Sequence, residues 1–219
     1  MVWTSTEDVR LLTGLTDSDI DVDDLHSLIS LAQKEVLIQV NNKIIREPVE
    51  LIDNTRENKI DNSNTTYYIK NWEGNFISDS NFDLAIDTSD ITLVSVDDDD
   101  STESSVAISS ITYDEGKFVV TTAPEDVDLF VSYSYSSFDP VTPDPLLKLA
   151  TEYLTASYAY MRIDASQKKQ VKFGNVSITN STGKDGSSSF FYSKYKDIIS
   201  QLNESANGGA IWGESHVLI

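Results

Sequence analysis

The sequence predicts an α+β protein in which a small helical bundle, formed by the N-terminal and C-terminal parts of the chain, carries an inserted antiparallel β domain. Apolar residues change from helical spacing to short alternating runs near residue 43 and return to helical spacing near residue 141. A block of strands inside a helical frame indicates an insertion into a bundle. The predicted parts are a helical core over 1–42 and 141–207, a β domain over 43–140, and an extended tail over 208–219.

Two helices are predicted before the β domain. Ser5 stands three residues before Asp8, which matches a capping box, and Gly14 lies where a short helix would end. A longer amphipathic helix follows the acidic turn TDSDIDVDD, because apolar residues recur there at spacings of three, four and seven. Its apolar face consists of Val22, Leu25, Leu28, Ile29, Ala32, Val36 and Val40. Its candidate N-caps are Thr16, Asp19 and Asp21.

The middle of the chain is predicted to be an antiparallel β domain. Short alternating or β-branched runs are separated by turn-like clusters such as DNSN, WEGN and DDDDSTES, a pattern typical of about six or seven strands. The runs are PVELI, TTYYIK, ITLVSV, SVAISSI, KFVVTT and VDLFVSYSY. This block holds 21 acids and 6 bases, a net charge of −15, which favours a domain that faces solvent.

Two further helices are predicted after the β domain. Asp144 supplies a cap and Pro145 suits the first helical position. The apolar and small residues that follow at helical spacing are Leu146, Leu147, Ala150, Tyr153, Leu154, Ser157, Tyr160 and Met161. The final helix has a stripe of Tyr192, Tyr195, Ile198, Ile199 and Leu202. Between the two helices, VKFGNVSIT is able to form a small hairpin.

Composition excludes several classes of protein. The net charge of −20 argues against a general nucleic-acid binder, which needs a basic face. The absence of cysteine excludes disulfide frameworks, zinc ribbons and thiol nucleophiles. No long apolar run and no signal-peptide pattern occur, so neither a membrane span nor secretion is expected. The 24 Asp against 12 Glu indicate a halophilic source, with an ordinary acidic surface or an acidic lumen for DNA as alternatives.

No catalytic, cofactor or metal site is predicted. The two histidines, His26 and His216, lack the neighbours of a triad, and none of the common phosphate-loop, zinc or nucleophile motifs occurs. The stretch DSDIDVDD resembles a calcium loop only in part, since Val22 replaces its glycine and Leu28 its final glutamate. We therefore expect helix-capping acids here, and a solvated turn at the acidic run Asp97–Asp100.

Two segments are predicted to contact partners. Residues 168–196 hold six lysines against one aspartate, a net charge of +5, which indicates contact with an acidic face of another subunit or with DNA at one level. A loop that merely balances its acidic neighbours is the alternative. The basic loop residues are Lys168, Lys169, Lys172 and Lys184.

The C-terminal tail is the second segment. Gly208 and Gly209 make the backbone permissive, and the apolar residues after them have no following element to cover them. These docking residues are Ile211, Trp212, Val217, Leu218 and Ile219. Because exposed apolar clusters mark contacts, we expect the tail to dock onto a partner. A tail that folds back onto its own helices is the alternative.

Five segments of the chain carry a resemblance to a known family: STEDVRLLTGL, DIDVDDLHSLISLAQKEV, DPLLKLATEYLTASYAYMR, VKFGNVSIT and a Tyr-bearing last helix. In this order they resemble head-to-tail connector (adaptor, or head-completion) proteins of tailed double-stranded DNA viruses, and the excess of Asp indicates a haloarchaeal virus. The resemblance covers residues 1–42 and 141–210, with the β block as an insertion larger than the minimal family needs. It rests on the order of these segments, because none of the motifs is diagnostic alone.

The resemblance implies a non-enzymatic virion protein at the head-tail junction, made in the host cytoplasm. It implies a homo-oligomeric ring, commonly of about twelve subunits, in closed cyclic symmetry. The ring would bind the portal protein above and a tail or neck protein below, and DNA would pass through its lumen without sequence-specific binding. Alternatives are a tail-completion or neck protein one layer lower, a surface β module that binds protein or carbohydrate, and a carboxylate enzyme.

Overall fold

The computed structural model describes residues 2–50, 58–167, 170–173, 176–179 and 187–207. Four helices and antiparallel sheets form this part of the chain, so the predicted α+β class is confirmed. The chain divides into two compact units. Of the described residues, those of the β unit lie within Gln33–Asp144 and at the N-terminus through Trp3, and those of the helical unit lie within Thr4–Ala32 and from Pro145 to Asn207.

The helical unit begins with two helices that follow the capping signals of the sequence. Helix α1 spans Thr6–Thr13, with the Ser5–Asp8 capping box at its start and Gly14 in the left-handed conformation at its end. Helix α2 spans Val22–Val40, and the division between the two units falls within it. Of the three candidate caps, Asp21 lies at its start, where its carboxylate accepts a hydrogen bond from the Asp23 N–H.

Helices α3 and α4 complete the helical unit. Helix α3 spans Pro145–Gln167 and α4 spans Ser187–Asn207. Between them, strands β9 (Gln170–Phe173) and β10 (Val176–Thr179) pair antiparallel, which confirms the predicted hairpin. Helix α3 packs against both α1 and α4, whereas α1 and α4 scarcely touch each other. The core of the unit consists of Val9, Leu15, Ile20, Leu25, Ile29, Ala156, Ala159, Tyr160, Ile163 and Phe191.

The larger sheet of the β unit is built around one long central strand. The ten-residue β8 (Val127–Ser136) pairs antiparallel with β1 (Asn42–Pro48) on one side. On its other side it pairs with β4 (Ile91–Asp97) and, beyond the end of β4, with β3 (Phe76–Ser78). Strand β5 (Glu103–Ser105) adds to the outer side of β4. All these pairings are antiparallel, as the sequence predicts.

A second sheet shares its core with the first. Strand β7 (Lys117–Val120) lies between β2 (Thr66–Tyr68) and β6 (Ile108–Thr112) in a three-stranded antiparallel sheet. Residues of both sheets form one apolar cluster, which lets each sheet bury one face. This cluster consists of Val49, Tyr67, Ile69, Ile77, Ile91, Leu93, Phe118, Val120, Leu129, Val131 and Tyr133.

Strand β1 differs from the sequence prediction. The run PVELI suggests a strand that begins at Pro48, but the observed strand β1 begins at Asn42 and ends at Pro48. Most of its side chains are exposed because it is an edge strand, so it shows little of the alternation that marks a half-buried strand. The pairing with β8 shifts register between Ile44 and Glu47, where Arg46 has a φ of 57°. A bulge of this kind protects an edge strand from pairing with other chains.

Candidate functional surfaces

Most residues of the two predicted contact segments lie outside the part of the chain that the structure describes. The docking residues Ile211, Trp212, Val217, Leu218 and Ile219 all lie outside it, as do Lys168, Lys169 and Lys184 of the basic loop. Lys172 lies in β9, of which only the backbone is described. Their roles therefore stay predictions from the sequence.

The start of α4 carries the described lysines of the basic segment. Lys194 Nζ lies 5.9 Å from the centre of the Phe190 ring, and Lys196 Nζ lies 4.9 Å from that of Tyr192. Phe190 is 55% exposed, whereas Phe191 is buried and stacks on Tyr160 of α3 with the ring centres 5.5 Å apart. The sequence offers two adjacent phenylalanines, and only one of them can face the core. The other one leaves an aromatic ring beside a lysine at the surface.

A polar cluster holds α1 against α3. Lys148 Nζ lies 3.1 Å from an Asp8 carboxylate oxygen and 3.8 Å from one of Glu152, and the Thr4 hydroxyl donates to Glu152 over 3.0 Å. Hydrogen bonds from the Ser5 hydroxyl and from Lys148 lower the pKa of Asp8, while burial raises the pKa of Glu152. This cluster joins the first helix to a helix about 140 residues later in the chain.

The acidic turn before α2 is used for local structure. Arg10 forms an ion pair with Asp17 and donates a hydrogen bond to the Ile20 carbonyl, 3.3 Å away. The Asp19 carboxylate accepts hydrogen bonds from the backbone N–H and hydroxyl of Thr16. In the described part of the chain, no group of three or more His, Cys, Asp or Glu side chains is arranged to hold a metal ion. These contacts fit the helix-capping interpretation of the turn.

The outer face of α1 presents one large apolar side chain to solvent. Leu11 is 85% exposed, the highest value among the large apolar residues described. It points away from the core because Val9, two positions earlier, is fully buried. Glu7, one helical turn before Leu11, is also exposed. Sequence reasoning missed this pair, since an apolar residue in a helix is first assigned to the core.

Two buried carboxylates organise a loop of the β unit. Asp79 accepts hydrogen bonds from the N–H groups of Asp83 and Leu84, over 3.2 and 2.7 Å. Asp90 accepts from those of Ser80 and Asp87, over 2.7 and 2.9 Å. Burial raises the pKa of Asp90, although these hydrogen bonds favour its ionised form. The carboxylates thus serve the backbone of the loop.

The acidic run Asp97–Asp100 forms a turn between β4 and β5. The Asp97 carboxylate accepts hydrogen bonds from the N–H groups of Asp99 and Asp100, over 2.8 and 3.3 Å. All four acidic side chains are exposed. Backbone N–H groups of the turn therefore donate hydrogen bonds to the Asp97 carboxylate, and the acidic side chains of the run are exposed to solvent, as the sequence predicts for a solvated turn.

A shallow groove of about 340 Å³ opens on the β unit. Its walls come from β4 and β5, from the segment after β5, and from the loop between β7 and β8. Ser95, Ser105, Thr121 and Thr122 are among its lining residues, with Glu125 as the charged residue of the lining. The sequence contains no signal for this groove, because small Ser and Thr side chains of separate strands carry no motif.

Comparisons with known proteins identify no family. No protein-family model matches the chain, and no curated protein sequence matches it. Within the described residues, none of the helices is both long enough and apolar enough to cross a bilayer.

Proposed function

We propose that the protein is a structural virion component that forms a homo-oligomeric ring below the portal of a tailed double-stranded DNA virus and joins head to tail. One observation carries the proposal. Most of the two chain segments that resemble connector proteins, Thr4–Ala32 and the described chain from Pro145 to Asn207, belongs to one helical unit, and the β unit accounts for most of the chain between them. A connector core interrupted by an insertion requires this organisation.

Contacts inside the helical unit support the same proposal. The Tyr160 hydroxyl on α3 donates to the Thr13 carbonyl at the end of α1 over 2.9 Å, and Lys148 reaches Asp8. The first of these contacts joins residues that are 147 positions apart. The early and late helices therefore form one core, so that the portal-binding and tail-binding surfaces of a ring would be built on it.

The charge of the chain suits a protein through which DNA passes. With a net charge of −20, the ring has an excess of negative charge that repels phosphates, so that the duplex moves through the lumen without binding. The proposal places the portal above the ring, a tail or neck protein below it, and the β unit on the outside. It assigns no catalytic activity and no cofactor to the chain.

Electron microscopy of the purified protein across a series of salt concentrations tests the proposal. The expected result is a closed ring of defined stoichiometry with an axial channel wide enough for a DNA duplex. Native mass measurement then gives the number of subunits. A protein that stays monomeric at every salt concentration, and does not assemble with the portal protein of its virus, contradicts the proposal.

Truncation after Asn207 tests the docking of the C-terminal tail. We expect the shortened protein to keep its fold and its ring, and to lose binding to the portal, because repeated copies of the tail act together through their effective concentration. Trp212→Ala in the full chain is the milder variant, since a Trp side chain is a typical anchor at interfaces. Undiminished portal binding by the truncated protein contradicts the docking role.

The groove on the β unit favours one alternative, a module that binds protein or carbohydrate. Polar lining residues such as Thr122 and Glu125 are able to orient a small polar ligand. A monomer that binds a glycan array or a host surface protein, with loss of binding in Glu125→Gln and Thr122→Val, would favour this function over a ring. A ring-forming protein without such binding favours the connector.

A further inference from the structure

We propose that neighbouring copies of the chain join through a head-to-tail contact between α1 of one copy and α4 of the next. The acidic patch is Glu7 and Leu11, and the basic patch is Phe190 and Lys194. This inference rests on the proposed ring and names the residues at the centre of its seam. Each patch pairs an exposed apolar anchor with an exposed charge, and the two charges are opposite.

The two patches have matching geometry. Glu7 precedes Leu11 by four residues on α1, and Phe190 precedes Lys194 by four residues on α4. Residues four apart lie on the same face of a helix, about one turn from each other. When the two helices pack antiparallel, Leu11 meets the Phe190 ring and the Glu7 carboxylate meets the Lys194 ammonium group. Parallel packing does not allow both contacts at once.

Charge favours this pairing over contact between identical patches. The N-terminal segment of the helical unit, 4–32, holds seven acids and Arg10 as its only basic residue besides His26, which gives a net charge of −6. On α4 the charged residues nearest Phe190 are the exposed Lys194 and Lys196, followed by Asp197. Like patches would therefore bring like charges together, whereas unlike patches attract. All four side chains are exposed, so each patch is available to a second copy.

The local contacts of Lys194 leave it able to take part. Its ammonium group lies 3.9 Å from Asp197 in an exposed pair and over the exposed Phe190 ring. Exposed pairs of this kind contribute little to stability, so the exchange of partner on association costs little. A stable interface buries about 800 Å² on each partner. The four residues therefore form only the centre of a larger seam. A head-to-tail contact repeats and closes into a ring where the rotation between copies permits.

A charge swap tests the seam. The variants are Glu7→Lys, Lys194→Glu and their combination, compared by sedimentation velocity at the lowest salt concentration at which circular dichroism shows the native fold. We expect each single variant to weaken association by about 10-fold, and the double variant to return to within about three-fold of the unmodified protein, because the charges then attract again in the reverse sense. Added salt reduces these differences.

The apolar anchors are tested separately. Leu11→Ser and Phe190→Ser should each weaken association by about 10-fold or more, as expected for anchors at the centre of an interface. Both side chains are exposed, so the fold is retained. Met161→Ser, which removes another exposed apolar side chain of the helical unit, and Glu204→Lys, which reverses an exposed charge elsewhere on α4, are the matched controls and should leave association unchanged.

The outcomes separate the seam from the proposed function. Rings that form equally well with all the seam variants overturn the seam and leave the connector function in place. Dimers or open chains whose association follows the charge swap support the seam and overturn the ring. A protein that never self-associates overturns the seam, and its portal binding then decides the connector function.

Discussion

Asp90 is a buried acid whose two carboxylate oxygens each accept a hydrogen bond from a backbone N–H group. A carboxylate accepts hydrogen bonds at both of its oxygens. It can therefore bind two backbone N–H groups of this loop, in which Phe82 and Leu84 have positive φ angles. Non-glycine residues rarely adopt such angles, because the Cβ atom meets the backbone. The carboxylates of Asp79 and Asp90 therefore offset the strain of the loop they organise.

Asp90→Asn is expected to lower the free energy of unfolding by about 1–3 kcal/mol, since the amide NH₂ group would face one backbone N–H and leave it without an acceptor. Urea unfolding followed by fluorescence measures the change. Asp98→Asn, in the exposed turn between β4 and β5, is the matched control and should have little effect. Equal stability of the two variants would contradict the role given to Asp90.

The pH dependence of stability follows from the directions of the pKa shifts. Hydrogen bonds from Ser5 and Lys148 lower the pKa of Asp8 below its ordinary 3.8, and Arg10 lowers that of Asp17. A carboxylate with a lowered pKa stabilises the folded state. This contribution is complete when the pH is above the ordinary pKa, and it is lost as the pH falls through the pKa of the folded state. Asp90 has the opposite sign: burial raises its pKa, so its contribution is greatest in acid and declines as the pH rises.

We therefore expect the melting temperature to fall as the pH is lowered below about 4, because more carboxylates have lowered than raised pKa values among those with a clear shift. Asp8→Asn should make the fall shallower, and Asp90→Asn should make it steeper. Melting curves followed by circular dichroism from neutral pH to about 2 measure both slopes. A melting temperature that rises in acid would show that the buried acids dominate.

At the scale of elements, the N-terminal residues through Trp3 belong to the β unit, and Trp3 makes their described contacts with it. Trp3 is buried, its indole Nε1–H donates to the Pro140 carbonyl over 2.9 Å, and its backbone N–H donates to the Gln33 side chain over 3.2 Å. These bonds hold Trp3 to α2 and to the segment between β8 and α3. The β unit thus includes both chain segments that lead into the helical unit.

Trp3→Ala is expected to destabilise the β unit by about 3–5 kcal/mol, the usual cost of removing a buried aromatic side chain. Trp3→Phe keeps most of the packing and loses the indole hydrogen bond, so it should cost about 1 kcal/mol, far less than the alanine variant. Hydrogen exchange of β8 and β4 reports the loss. If both variants unfold like the unmodified protein, the N-terminal residues do not support the β unit.

Elements with a strong local signal are predictable from the sequence. The capping box of α1, the proline start of α3 and the β9–β10 hairpin all follow from short-range sequence patterns. Strands β3 and β5 escape such patterns because each has three residues, and those of β5 are all exposed, so neither shows an alternating run. Their pairing with longer neighbours stabilises them, and single-sequence periodicity does not reveal pairing.

The candidate surfaces are harder to predict than the fold. Leu11 and Phe190 belong to helices whose apolar stripes lie beside them, and the sequence does not show which neighbouring apolar residue faces outward. That choice depends on how α1 and α4 pack against α3. Asp79 and Asp90 escape prediction for a related reason, since their burial requires backbone N–H groups that only the folded loop aims at them.

At the scale of the whole molecule, two units with separate cores share one chain, and the helical unit is interrupted by the β unit. Each of the two apolar clusters draws on residues of one unit alone. Independent cores of this kind are typical of domains that can fold by themselves. The apolar cluster of the helical unit therefore contains no residue of the strands of the β unit.

Replacement of residues 43–140 by a flexible Gly/Ser linker, which leaves α2 whole, tests this organisation. We expect the shortened protein to keep α1, α3 and α4 folded, because the contacts of Tyr160 with Thr13 and of Lys148 with Asp8 remain. Circular dichroism measures the helix content, and heteronuclear NMR spectra show whether the core is ordered. Loss of the helical signal in the shortened protein would show that the β unit is needed to complete the helical core.

The interruption of the helical unit also sets the order in which the two units can fold during synthesis. The Thr13 carbonyl cannot accept its hydrogen bond until Tyr160, 147 residues later, has been synthesised. Synthesis of those residues takes about 7–30 s at ordinary rates of translation. During that time the β unit can emerge and fold, whereas α1 has no α3 to pack against. Closing so long a loop is also slow after release. A nascent chain therefore lacks a finished helical core until α3 has been synthesised.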